Sequence, residues 1–308
     1  MKRLRVGRRG AVPSGLAPRL FALLLAAMIL LAAKDGQAQL IEPNDFVPLP
    51  PGSNAIQGYY DYGNLTQFSV ANGPTFTDNT GLQVNLGAVR YLHYFAIGGH
   101  PAAVQVYQIF GSESGGRIGG ENIGSASGAM DLAFNAAIWP YADPANSRYL
   151  VVVGWFYPPT GTYDPHSFLN LGDNRWKGDV QLGWHGAIAT KVSYDLSFDT
   201  TFYGDNDNAF PGGLTLTQTP TYELQGWVNW GWNPRFQTSL GYLGTFGGEQ
   251  SLNGVFDGQK TEEQRLRAAA SYFITPRLQV LLEVNHDVQS VGGFKQQFGL
   301  LARVTAVF

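Results

Sequence analysis

From about residue 192 to its end, the chain alternates apolar and polar side chains with a period of two. In VSYDLSFDTTF (192–202), Val192, Tyr194, Leu196, Phe198 and Phe202 share one face, and Ser193, Asp195, Ser197, Asp199 and Thr201 share the other. In YELQGWVNWGW (222–232), Tyr222, Leu224, Val228, Trp230 and Trp232 oppose Glu223, Gln225 and Asn229, with Trp227 on the polar parity. The stretches 235–246, 265–274, 277–288 and 298–308 repeat the alternation. Successive side chains of a strand point to opposite faces, so this period predicts strands. No helical stripe competes with it. The first half is less regular but keeps the rhythm, predicting strands near 54–63, 82–97, 103–110, 129–138 and 148–157. The fold class is all-β, with about twelve strands; ten and fourteen are the alternatives.

The connections sharpen this. Tight turns are predicted at Ala189-Thr190, Asn233-Pro234 and Thr275-Pro276, with shorter links at 98–102 and 139–147. Long Gly/Asn/Asp-rich links fall at 64–81, 111–128, 158–177, 204–220 and 248–262, and one short link at 289–292 breaks the alternation. Strands of about ten residues joined alternately by short and long links mark a transmembrane antiparallel up-and-down β-barrel. Lipid offers the backbone no hydrogen bonds, so a spanning sheet must close. A secreted sandwich also alternates, but gives no reason for strands this long or for loops that are long on one side only. Aromatics near strand ends (Trp155, Phe156, Tyr157, Phe202, Tyr203, Trp230, Trp232, Phe236, Tyr272 and Phe273) are expected at the membrane interfaces. The polar parity of the later strands nominates the lumen-lining set: Asp195, Asp199, Glu223, Gln225, Trp227, Asn229, Arg265, Arg267, Glu283, Asp287 and Arg303, with Leu281 also pointing inward. A Lys or Arg turned to lipid at the midplane would cost about 2–4 kcal/mol. These residues either keep the lumen solvated and electrically balanced or form a constriction that selects solutes by charge.

Composition agrees with export to a membrane. The first 38 residues carry a basic start, a fourteen-residue apolar run (Leu20–Ala33) and small residues before Ala38. That run is shorter than the roughly 18 needed to span as a helix, so 1–38 reads as a cleaved signal peptide. Residues 39–53 read as a Pro-rich periplasmic lead-in, and 54–308 as the barrel. An even strand count places both termini on the periplasmic side, in the bacterial outer membrane. The leader holds seven of the 20 Lys+Arg and one of the 23 Asp+Glu, leaving 13 against 22, net −9. No basic stripe is left to suggest nucleic acid. With no cysteine, disulfides and thiolate metal sites are excluded.

Several stretches resemble the outer-membrane transporter family associated with the phenol meta-degradation pathway. They are NDFVPLPPGSNAIQGYYDYGN (44–64), IWPYADPANSRYLVVVGWFYPPTGTYD (138–164), LNLGDNRWKGDVQLGW (169–184) and NGVFDGQKTEEQRLRAAASYFITPRLQVLLEV (253–284). They follow one another in order over nearly the whole chain after the leader. The resemblance implies a barrel that passes small hydrophobic or aromatic compounds, and it carries no catalytic residues to transfer. It also implies that the terminal aromatic, Phe308, is a signal to the barrel-assembly machinery.

Other chemistry finds little support in the sequence. The five histidines (His93, His100, His166, His185 and His286) form no HExxH pair, leaving no zinc site. Strand serines Ser193, Ser197, Ser239 and Ser271 lack a GxSxG elbow. The Gly-rich 111–128 lacks a GK[ST] ending and reads as a flexible loop; Asp205–Asn208 resembles a fragment of a calcium loop without its spacing. The expectation is a passive channel without enzymatic activity or cofactor. Its partners are outer-membrane lipids, the assembly machinery and a small-molecule solute, and it acts as a monomer or loose oligomer. An adhesion barrel working through its loops is the alternative. A barrel-embedded hydrolase is a further one, and it would show a Ser–His pair at hydrogen-bond distance near the lipid face.

Overall fold

A computed structural model describes residues 40–308; the predicted leader, 1–38, lies outside them. Twelve strands build the wall: β1 (Asn54–Ser69), β2 (Gly81–Ile97), β3 (His100–Ile118), β4 (Ala133–Asp143), β5 (Arg148–Tyr157), β6 (Lys177–Ala189), β7 (Val192–Tyr203), β8 (Thr221–Asn233), β9 (Phe236–Gly247), β10 (Glu262–Thr275), β11 (Leu278–Val291) and β12 (Gly293–Val307). Each is antiparallel to its neighbours in the chain, and β12 pairs back onto β1 from Ala55↔Val307 to Ser69↔Gly293. The sheet therefore closes with no bare edge, which is what the absence of backbone partners in lipid demands. No helix occurs among the described residues.

The alternation read from the sequence sorts side chains as a membrane requires. Leu196, Phe198, Leu224, Val228, Leu240, Leu266, Leu282 and Val304 are exposed on the outer face. Their inner-parity neighbours, such as Asp195, Gln225, Arg267 and Glu283, are buried. The tight turns fall at Gly98-Gly99, 144–147, Thr190-Lys191, Pro234-Arg235 and Pro276-Arg277, all at one end. Gly98 and Gly99 both take positive φ there (59° and 86°), a geometry that glycine enters without steric cost. At the other end, β11 and β12 are joined by Gly292 alone.

Three expectations are corrected. Residues 111–128 are not a flexible loop: β3 runs on to Ile118 and folds back as a hairpin onto Glu121–Ala129, paired from Phe110↔Ala129 to Ile118↔Glu121. Glycine leaves no hydrophobic alternation to read, yet its backbone completes a ladder. The long links 204–220 and 248–262 likewise carry a small second sheet, Asn206–Ala209, Leu214–Gln218, Gln250–Leu252 and Val255–Phe256. Its packed Ala209, Leu216 and Leu252 form a separate apolar cluster at the long-loop end. Finally, Trp155, Tyr157 and Tyr203 do not face the interface. Trp155 and Tyr157 are buried on the inner face with rings stacked 6.1 Å apart, and the Tyr203 ring lies under Arg175 at 4.6 Å.

The seam ends on Phe308. Its N–H donates to Asn54 O at 2.9 Å, and Asn54 N–H donates to Phe308 O at 2.8 Å. Deleting Phe308 removes this pair along with the terminal aromatic. The yield of the compact species that resists unfolding in unheated detergent gels is expected to fall severalfold; wild-type yield would refute the assignment.

Candidate functional site

The inner face has two characters. Over β1–β5 it is mainly apolar and aromatic, interrupted by buried Gln57, Arg90 and Asn135: Val84, Leu86, Tyr107, Ile109, Trp139, Val151 and Trp155 belong to one buried cluster. The sequence signal was present but unlike the later alternation. LVVVGWFY (150–157) is apolar on both parities, as a strand must be when lipid covers one face and a packed core the other. Over β6–β12 the inner face is polar, and it carries all eleven residues nominated above. All are buried except Glu223, which is partly so.

Residues 40–49 lie between these two halves. The Pro-rich lead-in, expected in the periplasm, turns into the lumen instead. Two apolar side chains, Ile41 and Phe46, join the buried apolar cluster. Phe46 fits there because position 183 is glycine: a Cβ would come within 2.5 Å of its ring. The backbone polar groups of the plug, cut off from solvent, find partners on the wall. Ile41 N–H donates to Gln225 Oε1 at 3.1 Å, and Ile41 O accepts from Trp227 Nε1 and Arg267, both at 3.0 Å. Asn44, held at φ 68°, donates its N–H to Asp195 Oδ2 at 3.0 Å. Phe46 O accepts from Trp139 Nε1 at 2.8 Å. The two plug acids meet two arginines: Arg303 pairs with Glu42 and, at 3.2 Å, with Asp45, whose other oxygen lies 3.8 Å from Arg90. Sequence reasoning missed Ile41, Glu42, Asp45, Phe46 and Arg90. The hint was an acidic pair set among apolar residues in a stretch with no strand pattern.

The nominated residues are brought together mainly along the wall. Arg267 grips Glu283 with two hydrogen bonds of 2.8 and 2.9 Å, reaches Gln225 at 3.2 Å and stacks over Trp227 at 4.5 Å. Such bidentate pairs fix geometry as well as charge. Arg265 bonds Asp287 at 2.6 Å and Glu263 at 2.8 Å. Asp199 accepts from Gln181 at 3.0 Å, and Glu223 accepts from Gln225 at 2.5 Å. Asn229 donates to Asp195 at 2.7 Å. Only Arg303 reaches across to the plug's carboxylates. At the short-turn end the lumen opens into a cavity of about 920 Å³ lined by Asp45, Leu92, Tyr94, His185 and Arg303, among others. Beside Leu40–Phe46 the remaining spaces shrink to about 20 and 30 Å³, room for one or two waters. The plug therefore fills most of the lumen beside it.

At the long-loop end, Ala71 N–H donates to Gly258 O at 2.8 Å, tying the small sheet to the end of β1. Beside it Asp257 is buried, and burial pushes its carboxyl up to about 6, opposed by the N–H bond it accepts from Gln259. A pKa raised on packing favours the packed state where the proton is bound. This contribution is full below 3.8 and lost as pH rises through about 6. Protease nicking within 248–261 should be faster at pH 7.5 than at pH 4.5, and Asp257→Asn should flatten the difference; equal nicking at both pH values in the wild type contradicts this.

The plug makes a second prediction. Arg303→Ala removes the one cation bonded to Glu42 among the described residues and leaves that buried carboxylate without it, a loss of about 3–5 kcal/mol by comparison with other broken buried pairs. In a chain with no native cysteine, Val47→Cys reports plug release directly. Maleimide labelling from the short-turn side should accelerate by at least about tenfold, since 1.4 kcal/mol is a factor of ten. An unchanged rate would show that the plug is held by its other contacts.

The match to known proteins follows this geometry. The family described as "Putative MetA-pathway of phenol degradation" matches residues 66–300. A COG4313 outer membrane channel from Pseudomonas putida F1 superposes with a TM-score of 0.83 and 28% identity, covering 87% of this chain and 100% of that one. The translocator domain of the autotransporter NalP from Neisseria meningitidis, at 12% identity and a TM-score of 0.50 over 85% of this chain and 90% of its own, shares the fold alone. No curated protein matches the sequence. A closed twelve-stranded wall, a two-faced lumen and a match spanning most of the sequence agree: the chain belongs to the phenol-degradation MetA family and is an outer-membrane β-barrel of the channel type.

Proposed function

We propose that this barrel passes small hydrophobic or aromatic compounds across the outer membrane by facilitated diffusion. The observation that carries this reading is the two-faced lumen. A planar aromatic solute can lie against the apolar wall of β1–β5 while its hydroxyl or carboxyl group exchanges hydrogen bonds along β6–β12. A wholly polar solute wastes half of that surface, and a wholly apolar one strips water from buried charges without replacing it. Passage itself needs no covalent step and no cofactor.

In this reading the short-turn end faces the periplasm, where the chain enters β1 at Asn54 and leaves β12 at Phe308, and Phe308 is recognised during assembly. A leader cleaved after Ala38 leaves Gln39 as the first residue, directly before the plug. The nominated residues then act at different heights. Arg267, Glu283, Gln225 and Trp227 hold the plug's first turn. Arg265, Asp287, Asp199, Glu223, Asp195 and Asn229 present a polar track. Arg303 is the latch. The paired charges make selection depend on hydrogen-bonding shape more than on net charge.

Planar-bilayer recording with uptake assays tests the proposal. Phenol-like solutes should interrupt the current or enter proteoliposomes at least severalfold faster than a disaccharide. Arg265→Ala and Arg267→Ala should each change conductance and ion selectivity. If both variants conduct with wild-type selectivity, the polar track is not the path; if no solute enters, the barrel is not a channel for this class.

A further inference from the structure

The turn between β4 and β5 places Ser147 beside a buried histidine that the transport reading leaves unused. Ser147 Oγ lies 3.3 Å from His185 Nε2, and His185 Nδ1 lies 2.7 Å from Asp195 Oδ1. The acid is itself held from two sides: Asp195 Oδ2 accepts from Asn229 Nδ2 at 2.7 Å and from Asn44 N–H at 3.0 Å. Asp195 and His185 are almost wholly shielded from solvent, whereas Ser147 is partly exposed. Among the described residues His185 is the only basic side chain within ion-pair distance of Asp195, while Glu283 and Asp287 each hold an arginine. Ser147 takes φ 50°, a left-handed backbone that serine adopts at some cost in strain. All this opens onto the 920 Å³ cavity at the short-turn end, where Arg148 and Lys191 also line the wall.

We propose that Ser147, His185 and Asp195 form a hydrolytic triad acting on small uncharged esters in this cavity. With its proton on Nδ1, given to Asp195, His185 keeps Nε2 free to accept. Ser147 Oγ attacks the ester carbonyl carbon and passes its proton to Nε2, forming the Oγ–C bond. The C–O bond to the alcohol breaks, and the alcohol leaves with that proton. Water then attacks the acyl-serine, gives a proton to Nε2, and the acid departs as the proton returns to Oγ. Ser147 and His185 are the catalytic residues, and Asp195 is a positioning residue that fixes the ring. Arg148 and Lys191 line the same cavity and add positive charge to it. A 3.3 Å approach is at the long end for a hydrogen bond, as is common in unliganded hydrolytic sites. Substrates are limited to those the cavity holds, and Leu49, Leu92 and Phe273 on its walls favour an aryl or short-acyl ester.

The test is covalent labelling of the folded barrel in detergent with a fluorophosphonate probe, mapped by peptide mass spectrometry. The expected result is one adduct, on the peptide containing Ser147, with turnover of p-nitrophenyl acetate above that of Ser147→Ala. His185→Gln should abolish both. Asp195→Asn should slow labelling by at least about a hundredfold, the ring then lacking its anionic partner. Heat-modifiable gel mobility establishes that each variant is folded, and Ser147→Gly serves as a second variant that suits the positive φ. No adduct on Ser147 in the folded wild type overturns the proposal, as does labelling that survives His185→Gln. Either result would leave the three residues as a hydrogen-bonded strut between a turn and two strands.

Discussion

Everything in this molecule depends on closure of the sheet. In lipid an unpaired N–H or C=O costs several kcal/mol, so a wall of twelve strands exists only if the last finds the first. The ladder from Ala55↔Val307 to Ser69↔Gly293 supplies that pairing. Closure then fixes the rest: each strand has one face in lipid and one in a confined interior, and register decides which residues meet there. A one-residue slip would turn Arg267 and Glu283 into the membrane.

Closure also creates a problem that the plug solves. An apolar inner half over β1–β5 facing a polar half over β6–β12 cannot fill its own interior. Residues 40–49 match both halves at once, with Ile41 and Phe46 on one side and backbone groups, Glu42 and Asp45 on the other. The segment forms only turns, with Asp45 N–H donating to Glu42 O and Val47 N–H to Asn44 O, and further backbone groups bond wall side chains such as Gln225, Trp227, Trp139 and Asp195. The same side chains that line the lumen are the ones that hold the plug. Asp195 shows the economy of the arrangement: one carboxylate orients His185, receives Asn229 and anchors the plug at Asn44.

The parts legible in the sequence were those where one physical rule acts locally. The alternation in 192–202 and 222–232 predicted both the strands and the inward placement of Asp195, Asp199 and Gln225, because lipid imposes the same rule on each residue. The failures have equally definite causes. Trp155 and Tyr157 sit near a strand end and looked like interface aromatics, but their parity is inward. A strand apolar on both faces carries no contrast by which parity shows which side is inner. The hairpin at 111–128 was hidden by glycine, which pairs through its backbone without marking a face. Ser147 went unnoticed because it lies in a turn, 38 residues from its histidine.

By itself, then, the sequence determined the all-β class, the approximate strand number, the end that carries long loops and the side of each later strand that faces lipid. These follow from a period of two and from the spacing of turn residues, both readable a few positions at a time. The tertiary structure alone decided that the lead-in enters the lumen, that Arg303 meets Glu42 and Asp45, that Arg267 closes on Ile41, and that Ser147, His185 and Asp195 stand in line. Those contacts join residues tens to hundreds of positions apart. Their existence depends on strand register and on barrel closure, which no local pattern specifies.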